Sequence, residues 1–369
     1  MGNDNYQYGR YFSPGLADRW YRRLTNSWRG PEPHWSLVVM GAAYGLGAWA
    51  RRAWHERFGH SEMASVPVIS IGNLAVGGSG KTPLCLALAR LLLDQGRRPA
   101  VISRGYGRRK SPVHQEPLVV SKGQGPEMEA AVSGDEPWLM ASQMPELRVV
   151  VGADRVRAAR VAVDQLQADI LILDDGYQQL ALAADCRVLL IPAHNPFGNG
   201  AVLPAGPLRE PVSAHRLADI LVTTGSTQLT PEVLEMAGGR PAFAADYHPL
   251  GWQRLGETGQ VPPEALTGRR VVAFCGLGRP DSFERSLKQL GLDIRRFIAL
   301  RDHQVYDQSV LDGLGLALLA SGAEYLVTTA KDAVKLPANY ALPVMVLRME
   351  TALNQPGEFL ETVLRIAKR

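Results

Sequence analysis

Val66-Pro-Val-Ile-Ser-Ile-Gly-Asn-Leu-Ala-Val-Gly-Gly-Ser-Gly-Lys-Thr82 is the stretch on which the reading of this chain turns. An apolar run passes through a glycine-rich turn and empties into a second apolar run, Leu84 to Leu93, of helical length. Strand, turn and helix in that order make a cradle for nucleotide phosphates. Gly77, Gly78 and Gly80 let backbone N–H groups point at phosphate oxygens, Lys81 reaches the outer phosphates, and the Thr82 hydroxyl is a ligand for Mg²⁺. The helix N-terminus below the loop adds a field that favours anions. The generic pattern opens with a glycine where this chain has Ala75. The competing reading is a plain glycine-rich connection, and the agreement of strand, turn, Gly-Lys-Thr and helix in order and spacing favours the cradle.

Beyond residue 60, short apolar runs alternate with helical patterns, which predicts a mostly parallel sheet with crossover helices. Strands are expected at 66–71, 99–103, 147–151, 169–173, 186–191 and 219–223, each almost continuously apolar as in strands covered on both faces. Between 238 and 268 the pattern dissolves into proline, glycine and isolated aromatics, which reads as a linker. A second set of strands is expected at 271–275, 294–300, 325–329 and 344–347. The expected fold class is α/β: a P-loop NTPase-like, mostly parallel sheet with flanking helices, a second smaller α/β domain, and an N-terminal membrane-associating helix. The expected domains are 1–60 (basic and aromatic, helical), 61–237 (nucleotide-binding and catalytic), 238–268 (linker) and 269–369 (smaller domain). Ala218-Asp-Ile-Leu-Val-Thr-Thr224 and Ala323-Glu-Tyr-Leu-Val-Thr-Thr329 resemble each other, so both domains are expected to use related strand ends.

With 46% hydrophobic and 21% charged residues over 369 positions, the chain is an ordered globular protein rather than a disordered one. Cys85, Cys186 and Cys275 have neither metal-ligand nor redox spacing and read as small core residues. The net charge of +4 is concentrated at one end: residues 1–60 carry eight arginines against Asp4, Asp18, Glu32 and Glu56. Five of the seven tryptophans, Trp20, Trp28, Trp35, Trp49 and Trp54, lie in the same segment. The uncharged run between Glu32 and Arg51 is diluted by Gly41, Gly45 and Gly47 and is shorter than the ~20 strongly apolar residues that a spanning helix needs. Tryptophans at a headgroup boundary and arginines facing anionic lipid favour an interfacial helix. The alternative is an amphipathic helix docked on the protein's own core. No recognition module for nucleic acid accompanies the charge.

Asp169-Ile-Leu-Ile-Leu-Asp-Asp-Gly176 is an apolar strand ending in two carboxylates, and open α/β sheets bind ligands at such carboxyl ends. Asp174 and Asp175 are therefore candidates to hold Mg²⁺ beside the cradle, with at most one facing the metal directly. Gly134-Asp135-Glu136-Pro137 reads on its own as a helix start with Asp135 as the cap. Arg301-Asp302-His303-Gln304 follows an expected strand. Phosphoryl transfer to an alcohol wants a carboxylate for the hydroxyl proton, and a histidine is a suitable partner for it.

Several motifs recur here in family order. They are Ile71-Gly-Asn-Leu-Ala-Val-Gly-Gly-Ser-Gly-Lys-Thr-Pro83, Ser103-Arg-Gly-Tyr-Gly-Arg108, Gly134-Asp-Glu-Pro137 and Leu173-Asp-Asp-Gly-Tyr-Gln178. They continue with Leu203-Pro-Ala-Gly-Pro-Leu-Arg-Glu-Pro211, Gly276-Leu-Gly-Arg-Pro280, Asp302-His303 and Lys331-Asp-Ala-Val-Lys-Leu336. Together they resemble the tetraacyldisaccharide 4′-kinases, the lipid A 4′-kinase family. The resemblance implies an enzyme that moves the γ-phosphate of ATP, with Mg²⁺, onto the 4′-hydroxyl of a tetraacylated glucosamine disaccharide 1-phosphate. It also implies a peripheral, monotopic place on the cytoplasmic face of the Gram-negative inner membrane, reached through residues 1–60, with no obligate protein partner. Carried over by position, Ala75, Val76, Gly77, Gly78, Ser79, Gly80, Lys81 and Thr82 hold ATP, and Thr82, Asp174 and Asp175 hold the metal. Asp135 and His303 form a base dyad beside the catalytic Lys81, and Arg104, Glu136, Arg155, Gln179 and Glu210 stand around substrate or phosphate. The family commonly reads Asp-Asp-Gly-Phe-Gln-His, where this chain has Tyr177 and Gln179, and Gln179 carries no charge. The alternative function is a P-loop NTPase switch or targeting protein acting at the membrane. A guanine-specific switch is expected to carry Asn-Lys-x-Asp, and Thr329-Ala-Lys-Asp332 does not match it.

Overall fold

The computed structural model describes residue 28 and residues 35–106, 108, 117–278, 280–302, 304–337 and 339–368. In chain order the elements are α1 (Trp35–Phe58), β1 (Val68–Asn73), α2 (Lys81–Asp94), β2 (Pro99–Ser103), β3 (Leu118–Lys122), α3 (Ala130–Ser133), α4 (Asp135–Gln143), β4 (Arg148–Val151), α5 (Arg155–Asp164), β5 (Ile170–Asp174), β6 (Cys186–Pro192), β7 (Ile220–Thr224), α6 (Pro231–Ala237) and β8 (Ala242–Arg254). They continue as β9 (Gln260–Val261), β10 (Arg270–Cys275), α7 (Pro280–Gln289), β11 (Asp293–Ala299), α8 (Gln308–Ser321), β12 (Tyr325–Thr329), α9 (Ala330–Ala333), β13 (Val344–Leu353) and α10 (Pro356–Ala367). Two compact units emerge: a larger one running to Tyr247 and resuming at Thr351, and a smaller one over His248–Glu350. Strands β8 and β13 each contribute residues to both.

In the larger unit the strand order is β8-β7-β6-β1-β5-β2-β4-β3. Every pairing is parallel except that of the edge strand β3 with β4. All six residues of β1 are buried, as a parallel strand covered on both faces requires. Its side chains alternate between two cores. Ile69 and Ile71 join Leu84, Leu88 and Leu92 of α2 and Met140 of α4, whereas Val68 joins Ala158, Ala159 and Ala162 of α5. Because β1 lies between β5 and β6, the strand order reverses there, and the carboxyl ends at such a reversal open a crevice.

The smaller unit has the parallel order β11-β10-β12-β13. Phe283 and Leu287 of α7 pack in one core, and Val310, Leu311, Leu314 and Ala317 of α8 pack in another. Crossovers through single helices, β1-α2-β2, β4-α5-β5 and β7-α6-β8 in the larger unit and β10-α7-β11-α8-β12 in the smaller, give each the layered α/β build that the alternating pattern predicts.

Three features depart from the expected boundaries. The segment 238–268, expected as a linker, contains the 13-residue strand β8 and the short strand β9. The inner half of β8 pairs with β7, and Pro249 with Gly251 masks the period further on; at Gly251 φ is 149° and a Cβ would lie 2.3 Å from the Val261 carbonyl. Residues 351–369, expected in the smaller domain, belong to the larger unit, where Phe359, Leu360 and Val363 of α10 complete the core above α2. The edge strand β3 is an addition: Leu118–Val120 is its only apolar stretch before Ser121 and Lys122, and it pairs on one side alone, with β4.

Helix α1 inverts the usual amphipathic arrangement. Its buried positions include Gly41 and Gly45, where a Cβ would come within 3.0 Å of the Val202 carbonyl and 3.2 Å of the Val202 side chain, respectively. Its large apolar side chains face outward instead: Trp35, Val39, Met40, Leu46, Trp49, Trp54 and Phe58 are all more than half exposed. Among the described residues no helix is long and apolar enough to cross a membrane.

Phe359 is fully buried and meets Phe243 edge-on with ring centroids 5.3 Å apart. Phe359→Ala is expected to destabilise the larger unit by about 3–5 kcal/mol, read by chemical denaturation.

Candidate active site

The glycine-rich loop leaves the carboxyl end of β1 and closes on the N-terminus of α2, with Gly80 at the cap and Lys81 as the first helical residue. Gly77 has φ 107° and Gly80 has φ 81°, conformations that glycine adopts without strain. Gly80 is doubly constrained, because a Cβ there would fall 1.5 Å from the Tyr247 hydroxyl oxygen. The Thr224 hydroxyl donates to the Ser79 carbonyl at 3.1 Å and the Tyr247 hydroxyl reaches it at 3.5 Å, so the ends of β7 and of the inner half of β8 brace the loop. The Ser79 Oγ is buried without a hydrogen-bond partner.

The acidic strand end lies directly beside this loop. β1 pairs with β5 in a register that sets Ile71 opposite Asp174. Asp174 is buried and accepts from the Ser103 hydroxyl at 3.2 Å and the Cys85 thiol at 3.8 Å. Burial, with the nearby carboxylates of Glu136 and Asp175, pushes its pKa up to about 7 against the opposing pull of Lys81. Burial and Asp174 together push the Cys85 thiol well above its ordinary value, which keeps it neutral. Asp175 turns the other way: its φ is 53°, and Arg209 Nη1 grips its two oxygens at 2.9 and 2.8 Å. Lys81 Nζ lies 3.6 Å from Asp175 and donates to Asn73 Oδ1 at 3.3 Å. Burial alone would raise the Asp175 pKa, but Lys81 and Arg209 outweigh it and hold the carboxyl below its ordinary value.

Around this centre, Asp135 is the first residue of α4 and Gly134 (φ 97°) occupies the cap, so Asp135 is not the helix cap that its local sequence suggests. A Cβ on Gly134 would lie 3.0 Å from the Tyr106 carbonyl and 3.3 Å from the Gly105 Cα, which brings the start of α4 against the loop after β2. Arg155, first in α5, is buried, donates from Nη1 to the Gly152 carbonyl and leaves its Nε without a partner. Burial lowers its pKa to about 10, with Asp174 opposing and Arg104 adding to the shift. Arg104 itself is exposed at the end of β2.

A family model described as "Tetraacyldisaccharide-1-P 4′-kinase" matches residues 33–368. The chain belongs to the tetraacyldisaccharide 4′-kinase family. A tetraacyldisaccharide 4′-kinase of Pelobacter propionicus is 41% identical over 306 residues, 82% of this chain and 84% of that one. Another, from Geobacter sulfurreducens, is 43% identical over 327 residues, 87% of this chain and 90% of that one. The crystal structure of LpxK from Aquifex aeolicus in complex with ATP superposes with a TM-score of 0.71 at 31% identity, covering 90% of this chain and 99% of that one. The protein is thus a kinase with the mixed α/β fold of its family.

Within this 4′-kinase, two residues expected around the substrate are occupied elsewhere. Gln179 Oε1 accepts from the backbone N–H groups of Ala181 at 2.5 Å and Leu182 at 3.4 Å, closing its own turn. Glu210 is buried against Arg52 of α1, with Nη2 to Oε1 at 2.9 Å. His303 lies outside the described residues. Its neighbours in the smaller unit are held: Lys331 Nζ donates to Asp302 at 3.0 Å, and the Arg301 N–H donates to Gln304 Oε1 at 3.0 Å. Arg209, Asn73, Ser103 and Arg52 enter the site without having been singled out. Arg209, Asn73 and Ser103 lie inside the quoted motifs, whereas nothing in the local sequence marks Arg52. Among the described residues no three His, Cys, Asp or Glu side chains form a ready metal cage.

The raised pKa of Asp174 sets a sign for pH dependence. A carboxyl shifted from 3.8 to about 7 in the folded state favours folding when protonated, so its contribution is complete below about pH 4 and lost as pH rises through about 7. In chelator, without nucleotide, wild-type melting temperature is expected to fall more steeply over that window than that of Asp174→Asn, read by calorimetry at a series of pH values.

Proposed function

We propose that this kinase transfers the γ-phosphate of ATP to the 4′-hydroxyl of a tetraacylated glucosamine disaccharide 1-phosphate, as a peripheral enzyme on the cytoplasmic face of the inner membrane. The observation that carries the reading is the Gly77–Thr82 cradle beside Asp174 in a chain matched by the family over residues 33–368. The ATP in the Aquifex aeolicus relative supports the choice of nucleotide.

In this reading the backbone N–H groups of the loop and the Lys81 ammonium spread over the phosphates and offset their charge. Thr82, Asp174 and Asp175 would hold Mg²⁺, which when bound neutralises charge developing on the phosphoryl oxygens. The residues suit a divalent cation: burial, and then the neighbouring Glu136 and Asp175 carboxylates, penalise the ionised Asp174, and a bound cation would offset that penalty. Asp135 accepts the proton of the 4′-hydroxyl as the new O–P bond forms and the bond to ADP breaks. His303 orients or assists that carboxylate. Arg155, buried with an unpartnered Nε, and Arg104 supply positive charge to substrate or phosphate, with Glu136 beside them. A substrate with four acyl chains stays in the bilayer, so the enzyme must come to it. The outward tryptophans and aliphatic side chains of α1 give that surface its contact.

Transfer of labelled γ-phosphate from ATP to a tetraacyl disaccharide 1-phosphate in detergent micelles tests the reaction; ATP hydrolysis without transfer would overturn it. Asp135→Asn is expected to lower kcat by about 10²–10⁴-fold with ATP binding retained, and near-normal transfer in that variant would remove Asp135 from the base role. Replacing Trp35, Trp49 and Trp54 together by serine is expected to weaken sedimentation with anionic vesicles by at least about tenfold, from the apolar area no longer buried in lipid. Unchanged partitioning would rule out this face of α1 as the membrane contact.

A further inference from the structure

We infer that Arg52 is a positioning residue for the nucleotide site, acting from α1 on the two loops that hold Asp175. Its guanidinium meets Glu210 with Nη2 at 2.9 and 3.1 Å from the two oxygens and Nε at 3.3 Å. The same Nη2 lies 3.4 Å from the Tyr177 carbonyl. The side chains of Arg52 and Glu210 are only 13% and 5% exposed, so water screens the pair weakly. Next to it, Arg51 Nη2 donates to the Gln178 carbonyl at 3.3 Å.

Glu210 and Tyr177 are the near neighbours of the residues that matter at the cradle. Glu210 follows Arg209, which grips Asp175, and Tyr177 stands two residues beyond Asp175 on the other loop. The loop carrying Arg209 is also fastened to the cradle's own approach. The Arg209 N–H donates to the Leu74 carbonyl at 2.7 Å and the Val76 N–H donates to the Pro207 carbonyl at 2.8 Å. Gln178 closes the circuit by donating to the Asn73 carbonyl at 2.9 Å, on the residue whose side chain receives Lys81. One side chain of α1 therefore ties together both loops of the Asp175 clasp.

The chemistry follows from shared charge. Asp175 is divided between Arg209 and Lys81. With Arg52 gone, Glu210 loses its partner, the loop loosens, and Arg209 releases its share. The Asp175 charge then falls on Lys81, the ammonium that has to meet the outer phosphates, and ATP binds less tightly. A residue that merely docks the helix would change membrane or acceptor affinity and leave ATP affinity alone. The inference rests on the placing of ATP at the cradle in the preceding section.

The test uses the full-length enzyme, with ATP Kd from calorimetry without acceptor and KM for ATP at saturating acceptor in micelles. Arg52→Lys keeps the charge but loses the fork, and is expected to raise both constants about threefold or more, and Arg52→Ala about tenfold or more, as a buried bidentate pair is weakened and then broken. In a double-mutant cycle, Arg52→Ala is expected to add little once Arg209→Ala is present, because both act on Asp175. An Arg52→Lys protein that melts with the wild type and binds ATP within about twofold of it overturns the inference, whether or not Arg52→Ala folds; so does full additivity in the cycle. If the wild type binds ATP but transfers nothing to the acceptor, the proposed reaction fails, and Arg52 is still judged on the ATP affinities.

Discussion

The parallel pairing of β1 with β5 is the constraint on which the site depends. Its register places Ile71, two residues before the carboxyl end of β1, opposite Asp174, the last residue of β5. A phosphate-binding loop and a buried carboxylate thus emerge side by side from adjacent strand ends. Each is unfavourable alone. The loop gathers N–H dipoles that want an anion, and Asp174 buries a charge that wants a cation or a proton. Set side by side, they suit a ligand bearing both signs, as a metal–nucleotide complex does.

The smaller unit has its own buried charge, fully satisfied within the protein. Asp332 accepts from the Gly276 N–H at 2.9 Å, the Tyr306 hydroxyl at 2.8 Å, the Thr329 hydroxyl at 2.8 Å and the Lys335 ammonium at 3.1 Å. These groups come from the ends of β10 and β12, from the segment after β11 and from the residues just beyond α9, so a single carboxylate gathers the loops at one end of that sheet. Gly276 is required there, since a Cβ would lie 2.8 Å from the Arg301 carbonyl. The contrast with Asp174 is instructive. Asp332 has a lysine and hydroxyl and amide donors, whereas among the described residues Asp174 accepts from a hydroxyl and a thiol and lies near Glu136 and Asp175 as well as Lys81.

Much of the larger unit was legible because its signals are local. Continuous apolar runs mark β1, β5, β6 and β7, and Gly-Lys-Thr marks the loop, since both depend on neighbours in sequence. The misses lie where distance in sequence decides. α10 completes a core begun some 270 residues earlier at Leu84, and no periodicity in α10 announces which unit it will join. β8 was hidden because Pro249 and Gly251 read as loop residues even though the strand runs through them. Glu210 carried a motif but not its partner, for Arg52 lies 158 positions away. Gln179 looked like a ligand-facing polar residue and instead closes a turn two and three residues ahead. A polar side chain in a motif shows that something must be hydrogen-bonded, and only the fold shows whether the partner is a ligand or the chain itself.

The glycine-lined inner side of α1 has a consequence for how the protein behaves in a test tube. Because Gly41 and Gly45 take up almost no room against Val202 and Ala205, the bulk of the helix's apolar surface is left on the outside. An apolar face of this kind in contact with water favours self-association, and copies of the chain in solution are expected to cover it with one another. A mild detergent that covers Val39, Met40, Leu46 and Trp49 is therefore expected to oppose that self-association.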